Sequence, residues 1–249
     1  VGNDGANTLS LSLSTGLKKN GWAMSVLFSK RWGDGYIQGT GYEGYNWFVN
    51  VSKRINDDHQ LSLTAFGAPQ KHNQRKPLYA GLSIEGWNEV AKWTGEKNKY
   101  RYNAIYGFDN NGKERSSMVN EYHKPQISLN HQWQIDYKSS LSTALYVSIG
   151  RGSGYSGQGR TSADRAMWNG SSNGQLLYNF RKTDGTFDYG AIQDMNAASA
   201  DGSRMVMSKS LNNHMWYGLL STYTNELLPG LELSAGVDVR YYVGEHTNE

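Results

Sequence analysis

One glycine pattern in the sequence has the spacing of a nucleotide-binding motif. Residues 152–157 (GSGYSG) match GxGxxG and follow a strand-like segment. A dinucleotide site also needs a helix directly after the glycines, because the helix amino terminus holds the pyrophosphate. The residues that follow, Gln-Gly-Arg-Thr, predict no helix, and no parallel-sheet pattern surrounds them. We therefore interpret 152–157 as a flexible, glycine-rich loop.

Acidic and histidine residues give a weak indication of metal binding. Residues 109–114 (DNNGKE) begin like a calcium loop, but the glycine is misplaced for an EF-hand and the terminal glutamate is absent. The pattern is more typical of a plain turn. The six histidines are scattered, and His72 and His123 could meet only through folding. We predict no metal site and no cofactor.

Residues for covalent catalysis are equally scarce. The chain has no cysteine, so a thiol nucleophile is absent. Glu232, Asp238 and Arg240 recur at even positions of one segment, which could supply two carboxylates for acid–base catalysis. The same pattern is typical of the solvated lumen wall of a large barrel, which is the interpretation we favour. We expect no enzyme.

Composition narrows the class of protein. The chain is 37% apolar and 19% charged, with 29 Gly, 4 Pro, 17 Tyr and 8 Trp, and this aromatic content predicts ordered structure. A net charge of +3 without a dense basic block gives little support for nucleic-acid binding. Mean hydropathy is −0.68, and no run of 18 apolar residues could form a transmembrane helix. A membrane barrel stays compatible, because only one face of each strand needs to be apolar.

Alternation of apolar and polar residues predicts eight strands, because successive side chains of a strand point to opposite faces. The apolar positions are Leu9, Leu11 and Leu13; Trp22, Met24, Val26 and Phe28; Tyr45, Trp47, Val49 and Val51; Leu61, Leu63 and Ala65; Ile127, Leu129, Trp133 and Ile135; Leu141, Thr143, Leu145, Val147 and Ile149; Met215, Tyr217, Leu219 and Tyr223; and Leu231, Leu233, Ala235, Val237, Val239 and Tyr241.

The connections between these segments alternate in length. Short turns are predicted at 18–21, 56–59, 137–140 and 228–230, and long links at 33–44, 71–125 and 151–213. Short turns at one end and long loops at the other are typical of outer-membrane barrels, with the short side periplasmic and the long side extracellular.

Aromatic residues on the apolar face mark both ends of the predicted strands. Near the short turns these are Trp22, Trp133 and Tyr223, and near the long links they are Trp32, Tyr45, Trp47, Tyr217 and Tyr241. They predict two aromatic girdles at the membrane interfaces, although aromatics also favour strands in general. Lys30 and His131 share this face. Lys30 could snorkel to the interface beside Trp32, whereas His131 indicates a possible error in register.

The long links carry aromatic side chains among polar ones, a combination that binds sugars, peptides or aromatic ligands. The candidate ligand-binding residues are Trp87, Trp93, Tyr100, Tyr102, Tyr106, Trp168 and Tyr178, with Phe180 and Tyr189 in the same links. The alternative is that they pack the links against each other. The segment from Trp87 to Trp93 predicts a short helix.

Several strings of residues resemble the barrel of TonB-dependent receptors of the Bacteroidetes group, in family order along nearly the whole chain. They are 33–36 (GDGY), 45–48 (YNWF), 61–75 (LSLTAFGAPQKHNQR), 185–189 (GTFDY), 212–218 (NNHMWYG) and 236–246 (GVDVRYYVGEH).

This resemblance implies an all-β fold, an antiparallel transmembrane β-barrel segment with long extracellular loops. The whole barrel would have about 22 strands, of which these residues form roughly a third. We expect 1–249 to be part of the barrel domain, with both ends cut from a longer protein, and the plug, TonB box and closing strands lie outside this sequence.

The resemblance also implies a function. A receptor of this kind in the bacterial outer membrane would import a scarce nutrient, such as a siderophore, cobalamin, a glycan or a peptide, with energy from TonB. Its partners would be outer-membrane lipid, the TonB complex through the plug, the nutrient and a possible surface lipoprotein. Two alternatives stay open, a passive porin or adhesin barrel and, with less support, an outer-membrane hydrolase.

Overall fold

A computed structural model describes residues 1–75 and 81–249, so residues 76–80 of the predicted link 71–125 lie outside the described residues. The strands are β1 (Asn7–Ser14), β2 (Trp22–Gly33), β3 (Tyr42–Arg54), β4 (His59–Gly67), β5 (Gln70–Asn73), β6 (Tyr106–Phe108), β7 (Glu114–Ser116), β8 (Val119–His123), β9 (Gln126–Gln134), β10 (Ser139–Gly159), β11 (Ser171–Ser172), β12 (Gln175–Leu176), β13 (Phe187–Asp188), β14 (Met205–Leu228) and β15 (Leu231–Asn248).

Helices occur only in the long links of the described chain. They are α1 (Ile84–Thr94), α2 (Ser162–Met167) and α3 (Tyr189–Ala197), with one 3₁₀ turn at Lys99–Arg101. The helix predicted between Trp87 and Trp93 is confirmed as the centre of α1. None of the helices that the structure describes is long and apolar enough to cross a membrane.

Ten strands form one antiparallel sheet, and eight of them are the strands that the alternation predicts. These eight pair side by side in the order β1-β2-β3-β4-β9-β10-β14-β15, and β5 and β8 are the other two. The outer strands β1 and β15 do not pair with each other within 1–75 and 81–249. The sheet is therefore open at both edges, as expected for a segment of a larger antiparallel β-barrel.

One face of this sheet carries the predicted apolar side chains in continuous rows. Leu63 pairs with Leu129, Leu129 with Leu145, Leu145 with Leu219, and Leu219 with Val239. Because side chains alternate along a strand, each of these pairs fixes the face of every other residue in its two strands. We call this the apolar face, and the opposite one the lumen face.

The apolar face is not covered by other parts of the described chain. Leu145 is 52% exposed and Val239 is 56% exposed, and buried apolar side chains such as Val90 and Phe187 lie in the long links. Apolar surface of this extent needs lipid or protein against it.

Turns and links differ in length at the two ends of the sheet for most of the strands. Short turns follow β3, β9 and β14, and long links follow β4 and β10, as predicted. The turn after β1 spans 15–21, longer than the predicted 18–21, and is nearly as long as the link after β2, which spans 34–41. Gly21 and Gly230 have φ angles of 80° and 82° in two of the turns at the short end. Residues with a Cβ rarely adopt such angles, so glycine is required there.

The third long link is shorter than predicted, because β10 and β14 extend beyond the expected ends. The link is 160–204, and the predicted glycine-rich loop at 152–157 is wrong, since these residues pair with β14 inside β10. The glycines there allow close packing. The Trp168 ring lies against Gly157, where any Cβ would clash with it.

The second link begins and ends with short strands, β5 and β8, that still belong to the sheet. β5 and β8 extend β4 and β9 in unchanged register between β3 and β10. Breaks occur at Pro69 and Pro125, which have no N–H to donate to a neighbouring strand.

The two polar residues predicted on the apolar face are both there. Lys30 forms an ion pair with Glu43 at 3.1 Å, and its Nζ lies 5.4 Å from the Trp32 ring centroid. His131 pairs with Leu61 and Thr143, so its predicted register is right. Its Nε2 lies 3.0 Å from Nδ1 of His59, and this polar pair lies near the short turns, at the end of the apolar rows.

The face assignment predicts opposite effects for two adjacent residues of β9. Leu129→Arg places a charge in the middle of the apolar face, which costs about 2–4 kcal/mol at a bilayer midplane. Asn130→Arg, on the lumen face, is the matched control. We expect L129R to reduce folding of the full-length protein into phospholipid vesicles, measured by heat-modifiable gel mobility, and N130R to fold as wild type. Equal folding of both variants would contradict the assignment.

Candidate functional site in the long links

The three long links come together at one end of the sheet in a compact unit. We call residues 34–41, 81–118 and 160–204 the link cap. Arg101 Nε donates to Tyr36 O at 2.8 Å, and Asn103 Nδ2 donates to Gln38 O at 3.1 Å. Arg101 also forms an ion pair with Asp4. The first link is therefore attached to the second by backbone oxygens.

Helix ends in the cap are fixed by local side chains. Ser83 accepts from Gly86 N at the start of α1, and Asp188 accepts from Ala191 N at the start of α3. Thr161 and Asp164 form a reciprocal capping box at α2. These residues satisfy N–H groups that have no partner within the helix.

Aromatic and aliphatic side chains form the larger core of the cap. This core contains Trp168, Phe187, Tyr189, Ile192 and Met205. The Tyr189 hydroxyl donates to Ile105 O at 2.6 Å and joins the second link to the third. Trp168 Nε1 donates to Gln158 O at 2.8 Å and attaches the core to β10.

A second core lies against α1. Val90, Tyr102, Ala104 and Leu176 are buried in it, and Leu82, Trp87 and Trp93 pack against it while partly exposed. Leu176 belongs to the third link and the others to the second. The second core therefore joins the second and third links by packing, and the Tyr189 hydrogen bond to Ile105 joins the same two links from the larger core. Together these contacts give the cap a fixed shape.

Arg181 is the central polar residue of the cap, and the sequence analysis did not identify it. Its guanidinium donates to the carbonyl oxygens of Leu177 (3.0 Å), Gly185 (2.8 Å), Ala104 (3.3 Å) and Gly170 (2.6 Å). It also donates to the Tyr102 hydroxyl, which in turn donates to Gly185 O at 2.7 Å.

Burial of these side chains in the cap shifts their pKa values. Burial raises the pKa of Tyr102 to about 12 and lowers the pKa of Arg181. Burial also raises the pKa of Tyr189. At neutral pH both tyrosines are therefore neutral hydrogen-bond donors, which is the form that their carbonyl partners require.

The predicted ligand-binding residues occupy three environments in the cap. Tyr102 and Trp168 are buried, with 3% and 5% of their surface exposed. They pack the links against each other, which is the alternative to ligand binding given above. Trp87, Trp93 and Tyr106 are partly exposed. Tyr100 and Tyr178 are each 57% exposed. Phe180 is partly exposed and Tyr189 is buried.

The exposed aromatics stand next to the partly exposed tryptophans. Trp93 contacts Tyr178 edge to face with ring centroids 6.5 Å apart, and Trp87 contacts Tyr100 in the same way at 5.1 Å. In each pair the tyrosine ring is open to solvent, and it rests on a tryptophan ring that packs against the second core. This arrangement can stack on a sugar or a flat ligand.

A recess of about 420 Å³ lies beside these aromatics, between the first link and the end of α1. Asp34, Tyr36, Thr94, Asn98 and Arg101 line it, together with Tyr102. Arg101 lies over the Tyr36 ring, 4.8 Å from its centroid. The recess combines aromatic, cationic and carboxylate groups, so it can bind a small polar ligand.

The predicted turn at 109–114 is a hairpin between β6 and β7. Asp109 Oδ1 accepts from the backbone N of Asn111 at 2.9 Å and of Lys113 at 3.0 Å. Its Oδ2 accepts from Arg115 Nε at 2.8 Å. These contacts engage both carboxylate oxygens in the turn. No cluster of metal-ligating side chains occurs among the residues the structure describes.

Two pairs of side chains on the lumen face are of types that take part in catalysis. Asp238 accepts from Arg240 Nε at 2.8 Å, so the predicted strip contains an ion pair within one strand. Ser148 Oγ lies 3.5 Å from His214 Nε2. No carboxylate in the described chain hydrogen-bonds to His214, so this pair lacks the third group of a hydrolase triad.

Comparison with known proteins gives structural matches only. No family model and no curated protein matches the sequence. The structure is similar to the unliganded ferric citrate transporter FecA, with a TM-score of 0.56 and 13% identity over 95% of this chain and 27% of that chain. It is also similar to the ferric-catecholate import receptor Fiu of E. coli K12. The open form gives a TM-score of 0.53 at 13% identity over 96% of this chain and 34% of that chain.

The similarity therefore identifies the fold, a segment of an antiparallel β-barrel like those of these two proteins, over nearly all of this chain. The chain spans about a third or less of the length of the receptors it matches. At 13% identity the similarity carries over the arrangement of strands and not the residues that bind a ligand.

The contacts of Arg181 predict that its removal loosens the cap. Arg181→Met keeps the length of the side chain but leaves the carbonyl oxygens of Ala104 and Leu177 without this donor, at about 1–3 kcal/mol for each buried acceptor that finds no other. We expect faster cleavage within 160–204 by limited proteolysis of the full-length protein in detergent. Arg165→Met, which removes an exposed arginine of α2, is the control. Equal cleavage rates would show that Arg181 does not hold the links together.

Proposed function

We propose that this chain is a barrel segment of a TonB-dependent transport receptor in the bacterial outer membrane, of the Bacteroidetes type. The observation that carries the proposal is the antiparallel sheet with one continuous apolar face and all long links gathered at one end. The receptors that share this arrangement are described as transporters and import receptors. Their role as transporters favours a non-enzymatic function here.

In this proposal the segment has three parts with different roles. The apolar face contacts membrane lipid, the lumen face surrounds the transport path, and the link cap captures the nutrient outside the cell. Residues 1–249 supply barrel wall and loops, while a plug and a TonB box come from other parts of the full-length protein. A surface lipoprotein is a further partner that could cover the cap.

The nutrient-binding residues we propose are the exposed and partly exposed members of the predicted set. Tyr100 and Tyr178 offer open rings, and Trp87 and Trp93 support them from the second core. Tyr106 is partly exposed, whereas Tyr102 and Trp168 act by holding the cap in shape. The substrate is a scarce nutrient such as a ferric siderophore, cobalamin, a glycan or a peptide.

An uptake experiment tests the proposal. The full-length receptor is expressed in strains with and without TonB, and labelled ferric siderophores, cobalamin, oligosaccharides and peptides are offered in turn. We expect uptake of one of these nutrients at low concentration, and loss of that uptake without TonB. Uptake that persists without TonB would favour the passive porin instead.

The role of the exposed aromatics has its own test with the nutrient identified in this way. We expect Tyr100→Ala combined with Tyr178→Ala to weaken binding by about tenfold or more, since an aromatic anchor contributes 1 kcal/mol or more. Tyr137→Ala is the control, because Tyr137 is 89% exposed in a short turn at the other end of the sheet. Equal affinity of the double variant and wild type would remove these tyrosines from the site.

A further inference from the structure

Two histidines meet on the apolar face near the short turns, although they are 72 residues apart in the sequence. Nδ1 of His59 lies 3.0 Å from Nε2 of His131. The two rings are nearly parallel, with an angle of 5° between their planes and 5.2 Å between their centroids. Ionisable side chains on the outer surface of a membrane protein are rare, because they are costly in lipid, and they usually serve a function. Neither the lumen face nor the link cap includes this pair.

The backbone and one neighbouring ring hold both histidines in place. His59 begins β4, where Asn56 Oδ1 accepts hydrogen bonds from the backbone N of Asp58 at 3.0 Å and of His59 at 2.7 Å. His131 lies inside β9, which pairs with β4 on one side and β10 on the other. The Trp133 ring stacks on the His59 ring, with centroids 5.5 Å apart. A turn, two ladders and an aromatic ring therefore limit how far either imidazole moves.

Each ring has one nitrogen that faces the other ring and one that does not. The outer nitrogens, Nε2 of His59 and Nδ1 of His131, have no hydrogen-bond partner within residues 1–75 and 81–249. A neutral imidazole carries one proton, which occupies either nitrogen. Because both rings are partly exposed, the outer nitrogens can carry the protons, which leaves two lone pairs facing each other. Two facing lone pairs repel unless a cation lies between them.

The distance between the facing nitrogens fits two ligands of one metal ion. Imidazole nitrogens lie about 2.0–2.1 Å from zinc, so two of them on one ion are about 2.8–3.4 Å apart for bond angles from about 90° to about 110°. The observed distance of 3.0 Å is within this range. Imidazole is a suitable ligand for zinc, nickel and copper, and affinity among these ions is highest for copper(II).

An ion at this pair has two protein ligands. No group of three or more metal-ligating side chains gathers in the part of the chain that the structure describes. The other coordination positions are filled by water, which reaches the pair because both rings are partly exposed at the short-turn end of the sheet. Such a site differs from the closed, four-ligand sites of structural zinc.

We propose that His59 and His131 bind one divalent transition-metal ion, copper(II) or zinc, through Nδ1 and Nε2. The ion joins β4 to β9 at the end of the sheet opposite the link cap. These two strands flank the second long link, so the ion cross-links the base of that link. The site is separate from the lumen and does not depend on which nutrient is imported.

Copper binding tests the site directly. The full-length protein is purified in detergent without a histidine tag, stripped of metal with a chelator and titrated with copper(II). We expect wild type to bind one copper ion more than the double variant His59→Gln with His131→Gln, with two coordinated imidazole nitrogens in its electron paramagnetic resonance spectrum. Each single variant keeps one ligand, so we expect it to bind this ion at least about tenfold more weakly, because the second contact is no longer intramolecular.

His72→Gln is the matched control. His72 is a partly exposed histidine of β5 that pairs with Tyr42 and Asn120, away from this pair. We expect H72Q to bind copper as wild type does. If the double variant binds as much copper as wild type with the same spectrum, the ion is held elsewhere, and the proposal is overturned.

Zinc tests the cross-link between the strands. An ion that binds only the folded protein stabilises it. We expect zinc to raise the temperature at which wild type loses its heat-modifiable mobility, and to leave that of the double variant unchanged. An equal shift in both proteins would contradict the cross-link.

A further variant separates loss of the ligand from loss of folding. His59→Phe keeps a flat ring against Trp133 but has no ligand nitrogen. We expect H59F to have the heat-modifiable mobility of wild type without added metal, and to lose both the two-nitrogen copper spectrum and the zinc shift. If H59F folds as wild type and keeps both, His59 is not a ligand. TonB-dependent uptake by a receptor without copper at this pair would reject the site and leave the proposed function standing.

Discussion

Backbone hydrogen bonding between strands is the constraint on which the rest of this structure depends. In lipid no water is present to pair with N–H and C=O groups, so each strand needs neighbours along its whole membrane-spanning length. A slip of one residue in any pair would turn Leu129 or Leu145 toward the lumen. The register is therefore common to all eight strands, and it determines which side chains lie on the apolar face and which lie on the lumen face.

The central parts of the strands could be predicted from the sequence, because one face of the sheet requires apolar side chains there and the other face carries polar or small ones. In β10, Leu141 to Ile149 alternate apolar and small or polar residues, and their face is confirmed. Beyond Ile149, both faces of β10 carry polar residues or glycine, so apolar and polar residues no longer alternate. The sequence therefore predicts an end of the strand ten residues before its observed end at Gly159. The glycines that suggested a loop are explained by a contact distant in sequence, the Trp168 ring against Gly157.

The organisation of the link cap could not be predicted in the same way. Arg181 is central because four backbone oxygens from separate segments converge on it, and backbone oxygens leave no mark on the sequence. Tyr100 and Tyr102 are two positions apart and have the same chemistry, yet one is exposed and the other is 3% exposed. The difference arises from the 3₁₀ turn at Lys99–Arg101, which directs the second ring into the core beside Val90. Composition identified the aromatic links but not which rings are free.

The alternation of side chains also lets neighbouring functions share strands without sharing residues. In β10, Arg151 lies on the apolar face beyond Ile149, whereas Gly150 lies under the His214 ring on the lumen face. Farther along, Gly157 and Gln158 anchor Trp168 of the cap. A change in the links can therefore alter the exposed surface of the cap while the backbone ladder of β10 and β14 stays intact.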